Sequence, residues 1–574
     1  MQNRRIVAGI IFAAVALSLA SSQGDSLAVD EVPHIGAGYS YIKSLEYRLN
    51  PEHPPLIKDL AGIAISWLSF TNAPFNIPDW TGAVNGQWNF GRTLIFNSGI
   101  NPDLVKTLAR LPMFCVFILL AWFIWKWTRE RYGNRAGIIA LILFSFSPTV
   151  LAHNRLVATD MGAAAGVVFA TYFFVKFLRN QKPKTFWIAV LALGLALLTK
   201  FSMILLGPYF ILIATIHEIR QKSTKQIIFQ SIGKTILLGI MAVCLVVWPF
   251  YVIHTANYSV QQQMHDATGI LSTHSDGFLK STILWISDKP ILRPFGQWLL
   301  GISMVMQRAM GNSVIYWMGD IVPNGGPLYF PIVYLLKEPL IWWVFVAIVI
   351  VGFIFHRKSD IRNPKSDDWI LATWILLYWI VSIESSLNIG IRHLLPVYPF
   401  TIMLVSGRVA QYKSRIATAI ISTLLLLYVA CAFFAWPNYL SYFNKIVGGS
   451  SGGYRYVVDS NLDWGQDGKR FGKWVISQNI PCVSTDYFGW ADLSAYAGNR
   501  IVWTSSSQWE DRADFIKRNQ CDGWLAVSAT FFQNSIGQKE HEINGERNWR
   551  WLLNEKPITT IGNSIFVWQI KRTP

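Results

Sequence analysis

Residues 104–126 read LVKTLARLPMFCVFILLAWFIWK, an apolar run with charged residues near its ends. As an α-helix, a run of this length can cross the ~30 Å hydrocarbon layer of a bilayer while satisfying its own backbone hydrogen bonds. Similar runs recur throughout residues 1–435. The sequence therefore predicts a polytopic α-helical membrane protein.

The apolar runs predict about eleven transmembrane helices. Two alternatives stay open. The short runs on either side of Lys200 also fit one broken helix, and the first run, behind Arg4 and Arg5, also fits a cleaved signal peptide because residues 20–22 are small. We expect it to be retained as an anchor. The predicted spans are 6–22, 104–126, 136–152, 156–178, 186–199, 201–217, 235–253, 339–356, 369–387, 394–410 and 416–435.

Composition supports this class of protein. Of 574 residues, 52% are hydrophobic and only 14% are charged, against about 25% charged in a typical soluble domain. A disordered chain and an ordinary cytosolic enzyme are therefore excluded. The formal net charge of +17 does not indicate nucleic-acid binding, because nearly all of the excess falls in loops on one side of the predicted spans.

Those basic loops predict the orientation in the membrane. Lys and Arg concentrate in cytoplasmic loops, which puts the N-terminus in the cytoplasm and the C-terminal region outside a plasma (inner) membrane. The outer side then holds loops 23–103 and 254–338 of the membrane domain, 1–435, and a second domain, 436–574. Alternating strand-like and helix-like runs predict an α/β fold for that extracytoplasmic domain. The strand-like runs are Arg455–Val458, Ile501–Trp503, Trp524–Val527 and Ser564–Ile570.

Two cysteines, Cys482 and Cys521, lie in the predicted outer domain. An oxidising compartment permits a disulfide between them, although two free thiols fit the sequence equally well. No CxxC or HExxH spacing is present, and no Gly-rich nucleotide-binding loop.

Ionisable residues crowd the first outer loop. Asp30 and Glu31 follow the first span, and Glu52-His53-Pro54-Pro55 comes later, with Lys58 close behind. Ionisable groups near a bilayer are costly and are therefore functional candidates. Pro54 and Pro55 restrict the backbone beside His53, which suits a side chain that must be held in one direction.

Further ionisable residues stand at the predicted outer ends of spans. Snorkelling accounts for any single one of these cations, but not for their sharing a side that is normally depleted of positive charge. Cations beside a carboxylate pair suit a phosphate-bearing lipid and a base for a hydroxyl acceptor. The residues are Arg110, His153, Arg155, Asp160, Lys200, Lys337, Glu338, Arg392 and His393.

Several of these segments resemble a known family, the polyprenyl/dolichyl-phosphate-sugar-dependent membrane glycosyltransferases with the GT-C fold. Its members include the protein O-mannosyltransferases and aminoarabinose transferases, and this chain resembles the bacterial type. The similarity is carried by Asp30-Glu31, His53–Lys58, Arg155–Asp160, Gly194–Lys200, Tyr329–Pro331, Lys337–Pro339, Arg392–Pro396 and Asp459–Gln466.

The resemblance implies an inverting transfer of a sugar, such as a hexosyl or mannosyl group, from a polyprenyl-phosphate carrier at the outer membrane face. Asp30 is then the general base, and Glu31 supports it or binds acceptor. The donor phosphate is held by His53, Arg155, Lys200 and Arg392. Supporting or acceptor-binding roles fall to Glu52, Lys58, Asp160, Lys337 and His393.

A divalent metal near Glu52 and His53 is a further implication of the resemblance. The chain lacks the inserted lumenal domain of the O-mannosyltransferases, so a lipid, a glycan and a protein all stay open as acceptors. Two other functions also stay open. One is a secondary transporter or lipid flippase, which predicts inverted repeats and midplane charges. The other is a non-catalytic subunit of a cell-envelope assembly.

Overall fold

The structure is a computed structural model and describes residues 2–311, 314–355, 367–537 and 548–571. Helices dominate residues 1–435, and every predicted apolar run coincides with one or more of them. The helices are α1 (Gln2–Ser22), α2 (Glu31–Ser44), α3 (Leu56–Ile65), α4 (Pro78–Thr81), α5 (Gln87–Phe96), α6 (Pro102–Tyr132), α7 (Asn134–Ser145), α8 (Pro148–His153), α9 (Thr159–Asn180), α10 (Pro183–Leu197), α11 (Leu206–Arg220), α12 (Lys225–Ala242), α13 (Trp248–His254), α14 (Val260–Leu271), α15 (Phe278–Ser287), α16 (Arg293–Met310), α17 (Tyr329–Lys337), α18 (Leu340–Phe355), α19 (Asp368–Glu384), α20 (Tyr398–Val409) and α21 (Arg415–Ala435).

Within the described ranges, six helical segments are long and apolar enough to cross a membrane, and the bent pair α17–α18 makes a seventh. The predicted number of about eleven is therefore not confirmed. Some predicted spans are interrupted or short. The run 136–152 divides because Ser147 caps a new helix that starts at Pro148. The six segments are Arg4–Ser22, Pro102–Tyr132, Thr159–Asn180, Phe201–Arg220, Lys225–His254 and Arg415–Ala435.

The two helices on either side of His53, α2 and α3, pack closely against each other. Helix α2 packs on α3 at two glycines, where a Cβ on Gly38 would collide with the Lys58 carbonyl and one on Gly62 with the Gly38 carbonyl. Only glycine permits backbones to approach so closely. This contact holds His53 and Lys58 near the helix that follows Asp30.

The C-terminal region, after α21, forms a mixed five-stranded sheet with helices. The strand order is β4-β3-β5-β7-β6; β3 is parallel to β4 and β5, and β7 is antiparallel to β5 and β6. The strands of the chain are β1 (Ile315–Trp317), β2 (Asp320–Val322), β3 (Val483–Asp486), β4 (Ile501–Trp503), β5 (Trp524–Ser528), β6 (Thr559–Ile561) and β7 (Ile565–Gln569). The helices here are α22 (Gly468–Ser477), α23 (Ser494–Ala497), α24 (Arg512–Arg518) and α25 (Ala529–Ile536).

The predicted α/β fold of this region is confirmed, with strands at three of the four predicted runs. Of the two alternatives for the cysteines, the structure has the disulfide, which joins Cys482 and Cys521 with Cα atoms 4.9 Å apart. The strand predicted at 455–458 is wrong. A 3-10 turn covers Gly453–Arg455, and Val457 makes only an isolated bridge to Trp317. The apolar pattern reflects the burial of Val457 and Val458, which does not require a sheet.

The C-terminal region also fixes the chain just before Asp30. The backbone N–H of Val29 donates to the Trp464 carbonyl at 2.9 Å, and that of Ser26 donates to the Gln466 carbonyl at 2.9 Å. Arg470 forms an ion pair with buried Asp25 at 2.7 Å. The position of Asp30 therefore depends on a segment more than 400 residues away in sequence.

Candidate active site

Asp30 occupies the N-cap position of α2, after the short loop that follows α1, and its side chain makes no capping hydrogen bond. The side chain is 21% exposed, so its carboxylate is reachable from solvent. Nη1 of Arg392 donates to Oδ2 of Asp30 at 2.7 Å.

Arg392 connects Asp30 to a second carboxylate, that of Asp160. The same Nη1 lies 3.5 Å from Asp160 Oδ2, and the other oxygen of Asp160 accepts from Lys200 Nζ at 2.6 Å. The four side chains form a continuous row of alternating charge, which we call the ion row (Lys200, Asp160, Arg392, Asp30). Helix boundaries position it, because Asp160 lies in the first turn of α9 and Lys200 follows α10.

A segment of the C-terminal region holds Arg392 in place. Ser460 Oγ accepts from Arg392 Nε at 3.2 Å, and the guanidinium lies 4.1 Å from the centre of the Trp464 ring. Asn461 Oδ1 accepts from the backbone N–H of Ile391 at 2.9 Å. The sequence had indicated these positions only through the family resemblance of Asp459–Gln466, and their contact with Arg392 was not predicted.

Asp459 brings a third carboxylate near the ion row. It has a left-handed backbone conformation, with φ of 56°. The pKa of Asp459 is raised to about 6, mainly by burial and in part by the Asp30 charge, while the Arg392 charge opposes the shift. The site thus combines fixed cations with several carboxylates.

Glu31 and Arg155 lie outside this row. Glu31 is fully buried and accepts from Arg110 Nε at 2.8 Å and from the backbone N–H groups of Ala28 and Val157 at 2.9 and 3.0 Å. Arg155 is 2% exposed and pairs with Asp25 at 2.8 Å. Both side chains join elements of the fold, and the structure does not bring either one to Asp30.

His53 lies beside His34, with ring centres 5.0 Å apart. Burial lowers the pKa of His53 well below its ordinary value, and the charges of His34, Lys58, Lys200 and Arg308 lower it further. His53 is therefore neutral near pH 7. Arg308, in α16, is an exposed cation that sequence reasoning missed, because an isolated arginine in an outer loop carries no distinguishing pattern.

Lys58 is fully buried and points at uncharged acceptors. Its ammonium donates to His53 O at 2.6 Å, Asn50 O at 2.7 Å, and the hydroxyls of Tyr41 and Tyr47 at 2.9 and 3.2 Å. Burial lowers its pKa to about 7, although Glu52 and Asp59 oppose the shift. Lys58 therefore fixes the loop that carries His53.

Lys337 and His393 were also predicted to have supporting or acceptor-binding roles. Lys337 is buried and donates to the carbonyls of Leu440 and Asn461 at 2.7 and 2.6 Å, so it supports the Asp459–Gln466 segment. His393 adjoins Arg392, and its buried Nε2 has no hydrogen-bond partner in the described part of the chain. An unpaired ring nitrogen next to the ion row is available to a ligand.

The geometry gives little support to a metal at Glu52 and His53. Glu52 accepts from Gln87 Nε2 at 2.7 Å and from Asn85 Nδ2 at 3.4 Å. Among the residues that the structure describes, no group of three or more His, Cys, Asp and Glu side chains could hold an ion. A metal at this position stays a prediction.

Sequence comparison identifies one part of the chain. Residues 103–249, which include Asp160 and Lys200, match the family described as dolichyl-phosphate-mannose-protein mannosyltransferase. No protein of curated function matches the chain.

Solved structures were compared with the whole chain. The Saccharomyces cerevisiae protein O-mannosyltransferase Pmt1-Pmt2 complex, bound to its sugar donor, aligns with a TM-score of 0.52 at 12% identity, over 76% of this chain and 90% of that one. ArnT from Cupriavidus metallidurans, bound to undecaprenyl phosphate, aligns with a TM-score of 0.48 at 11% identity over 99% of both chains. The oligosaccharyltransferase AglB from Archaeoglobus fulgidus aligns with a TM-score of 0.47 at 11% identity, over 94% of this chain and 71% of that one.

The Pmt1-Pmt2 alignment shows a shared fold, and the matched segment adds a family domain that contains half of the ion row. Its apolar helices make the chain a multi-pass membrane protein. The chain thus contains, at residues 103–249, a segment that matches the dolichyl-phosphate-mannose-protein mannosyltransferase family, and it shares its fold with the Pmt1-Pmt2 complex.

Proposed function

We propose that this protein transfers a sugar from a polyprenyl-phosphate carrier to a hydroxyl acceptor at the outer face of a plasma (inner) membrane, with the C-terminal region on that side. The observation that carries the proposal is the ion row, in which Asp30 and Asp160 flank Arg392 and Lys200 completes the series. Two cations for a phosphate and an ionised carboxylate for a hydroxyl are the groups that this reaction requires.

Asp30 takes the acceptor proton in the proposed reaction. The acceptor oxygen forms a bond to the anomeric carbon while the bond from that carbon to the phosphate oxygen breaks. The bonding electrons stay on the leaving phosphate, which gains one negative charge. Attack opposite the leaving group inverts the anomeric configuration.

Arg392 and Lys200 stabilise that growing charge. Fixed cations act best where charge develops in the transition state, and burial at 7% and 9% exposure shields both side chains from water. The donor phosphate competes with Asp30 for Arg392, so donor binding loosens the Asp30–Arg392 pair. The released Asp30 carboxylate can then accept a hydrogen bond from the acceptor hydroxyl and take its proton.

Glu31 and Arg155 act as positioning residues in this proposal. Glu31 fixes the first turn of α2, next to Asp30, against α6 and the segment before α9. Arg155 holds Asp25 in the loop between α1 and α2. Lys58 and Lys337 have equivalent roles, because the ammonium group of each donates to backbone carbonyls of neighbouring segments.

A transfer assay tests the function. Purified full-length protein in detergent receives polyprenyl-phosphate sugars that differ in the sugar, together with lipid, glycan and peptide acceptors. We expect labelled product from at least one donor, release of the free polyprenyl phosphate in equal amount, and inverted anomeric configuration by NMR. Sugar-bearing lipid that crosses a liposome without cleavage supports the transporter instead. A protein that transfers no sugar from any of the donors contradicts the proposal.

A further inference from the structure

A groove between α1 and α6 lies at the end of the membrane domain away from the ion row. It encloses about 810 Å³. Helix α1 runs from this groove towards Asp25 and Asp30, and its 21 residues correspond to about 30 Å. The groove is therefore separate from the candidate active site.

The walls of the groove are apolar and aromatic. Phe12 and Leu119 are 74% and 54% exposed, and Trp122 is 39% exposed. Trp125 also lines the groove, and its buried indole nitrogen has no acceptor among the described residues. Apolar side chains that face a bilayer pack against acyl chains, and amphipathic indoles favour the level of the headgroups.

Positive charge collects at one end of the same groove. Arg4, Lys126 and Arg129 line it there, against a single carboxylate, that of Glu130. Glu130 pairs with Lys126 at 2.6 Å. Arg129 stacks over the Trp125 ring at 4.9 Å, and neither Arg4 nor Arg129 has an ion-pair partner in the described ranges. Two cations are thus available to an external anion.

The length of the groove indicates what kind of anion it fits. Its α1 wall extends from Arg4 to Val15, which is about 17 Å at 1.5 Å per residue. Half of a ~30 Å hydrocarbon core is about 15 Å. The groove therefore spans one leaflet, the depth of an ordinary acyl chain, with its cations at headgroup level. Basic pockets between transmembrane helices suit anionic headgroups.

We propose that the groove between α1 and α6 binds one anionic glycerophospholipid, with its phosphate beside Arg4 and Arg129 and its acyl chains along Phe12, Leu119 and Trp122. The site does not depend on the proposed transferase reaction. It places a structural lipid against the helix whose other end leads into the Asp30 loop.

Native mass spectrometry tests the site. Full-length protein, delipidated in detergent, is titrated with phosphatidylglycerol or phosphatidylcholine of the same acyl length. We expect wild type to bind one phosphatidylglycerol more tightly than phosphatidylcholine. Arg4→Gln/Arg129→Gln should weaken phosphatidylglycerol binding by about fivefold per arginine without changing phosphatidylcholine binding.

Two further variants complete the test. Lys413→Gln/Arg415→Gln removes the same charge from exposed residues at the start of α21 and should bind as wild type does. Ala8→Trp fills the groove but keeps its cations, and should lose the bound lipid. Equal phosphatidylglycerol binding by wild type, the Arg4/Arg129 variant and Ala8→Trp overturns the proposal. Equal affinity of wild type for phosphatidylglycerol and phosphatidylcholine would also overturn it. The same holds if undecaprenyl phosphate displaces phosphatidylglycerol at equal concentration.

Discussion

Arg392 shares one guanidinium nitrogen between two carboxylates, at 2.7 Å from Asp30 and 3.5 Å from Asp160. Its Nε bonds Ser460, and its flat face covers Trp464. A lysine at this position has one compact ammonium and cannot make these contacts together. The guanidinium group therefore combines a contact with both aspartates, through Nη1, with a bond to Ser460 and packing on Trp464.

At the residue scale, Arg392→Lys should weaken donor binding. Loss of a charge-assisted hydrogen bond costs about 1.5–3 kcal/mol, so the KM for the donor should rise roughly tenfold to a hundredfold. Arg500→Lys, in the sheet region, is the matched control and should behave as wild type. Unchanged KM and kcat in Arg392→Lys contradict a phosphate-binding role.

The buried carboxyl group of Asp463 should make the free energy of unfolding depend on pH. Its side chain is fully buried and accepts from the backbone N–H of Thr530 at 2.9 Å, and burial raises its pKa from 3.8 to about 8. The folded protein therefore holds this proton more tightly than the unfolded chain does. The stability from this group is complete below about pH 4 and is lost as the pH rises towards 8.

Asp463→Asn should prevent the loss of stability at high pH, because asparagine keeps a hydrogen-bond acceptor and carries no charge. We expect its thermal unfolding midpoint to exceed that of wild type at pH 8 and to approach it at pH 5. The measurement is a series of melting curves in detergent between these pH values. Parallel curves for the two proteins contradict burial of an ionisable Asp463.

At the scale of elements, Glu31 joins α2 to α6 and to the segment before α9. Its buried ion pair with Arg110 is fully enclosed. Removal of one member of such a pair costs about 3–5 kcal/mol, because the other charge remains buried. Glu31→Ala should therefore lower the unfolding free energy strongly, and Arg110→Met added to it should restore part of the loss.

The control for this pair is Glu46→Ala. Glu46 lies 3.9 Å from Arg48 and is 23% exposed, so its removal should cost no more than about 1 kcal/mol. Denaturant titration of the purified variants gives the comparison. A Glu31→Ala protein with normal stability but no turnover shows a chemical role for Glu31 instead of a positioning role.

The elements themselves were largely predictable. Long apolar runs with charged ends produced the helices, since a membrane helix needs only length and apolarity. The breaks in these helices could not be predicted, because Pro148 and Pro339 lie inside or at the edge of apolar runs that look continuous. Each proline removes a backbone donor and restricts the residue before it, and the bend between α17 and α18 is 113°.

At the scale of the whole molecule, the site joins residues that are far apart in sequence. Charge at the span ends and the family resemblance indicated Asp30, Asp160, Lys200 and Arg392, but only the tertiary fold pairs them. Trp464 was indicated only as part of the Asp459–Gln466 resemblance, and its contact with Arg392 was not predicted, since a buried aromatic residue in an irregular segment follows no periodic pattern. That contact brings the C-terminal region to the candidate site.

Trp464→Leu tests that role. A desolvated cation–π contact contributes about 2 kcal/mol, so kcat/KM should fall by roughly tenfold or more, with a smaller loss for Trp464→Phe. Trp503→Leu, at a side chain that is 44% exposed, should retain activity. Equal kcat/KM in Trp464→Leu and wild type means that the C-terminal region does not support Arg392.

The most direct test of the account is a single-turnover measurement on Asp30→Asn with saturating polyprenyl-phosphate sugar, with donor affinity measured in parallel. We expect the rate of transfer to fall by about 10²–10⁴-fold, while donor binding is unchanged or tighter because Arg392 is released from its partner. Asp79→Asn, a control in the same outer loop, should transfer at the wild-type rate. Transfer by Asp30→Asn at the wild-type rate contradicts the assignment of Asp30 as the base.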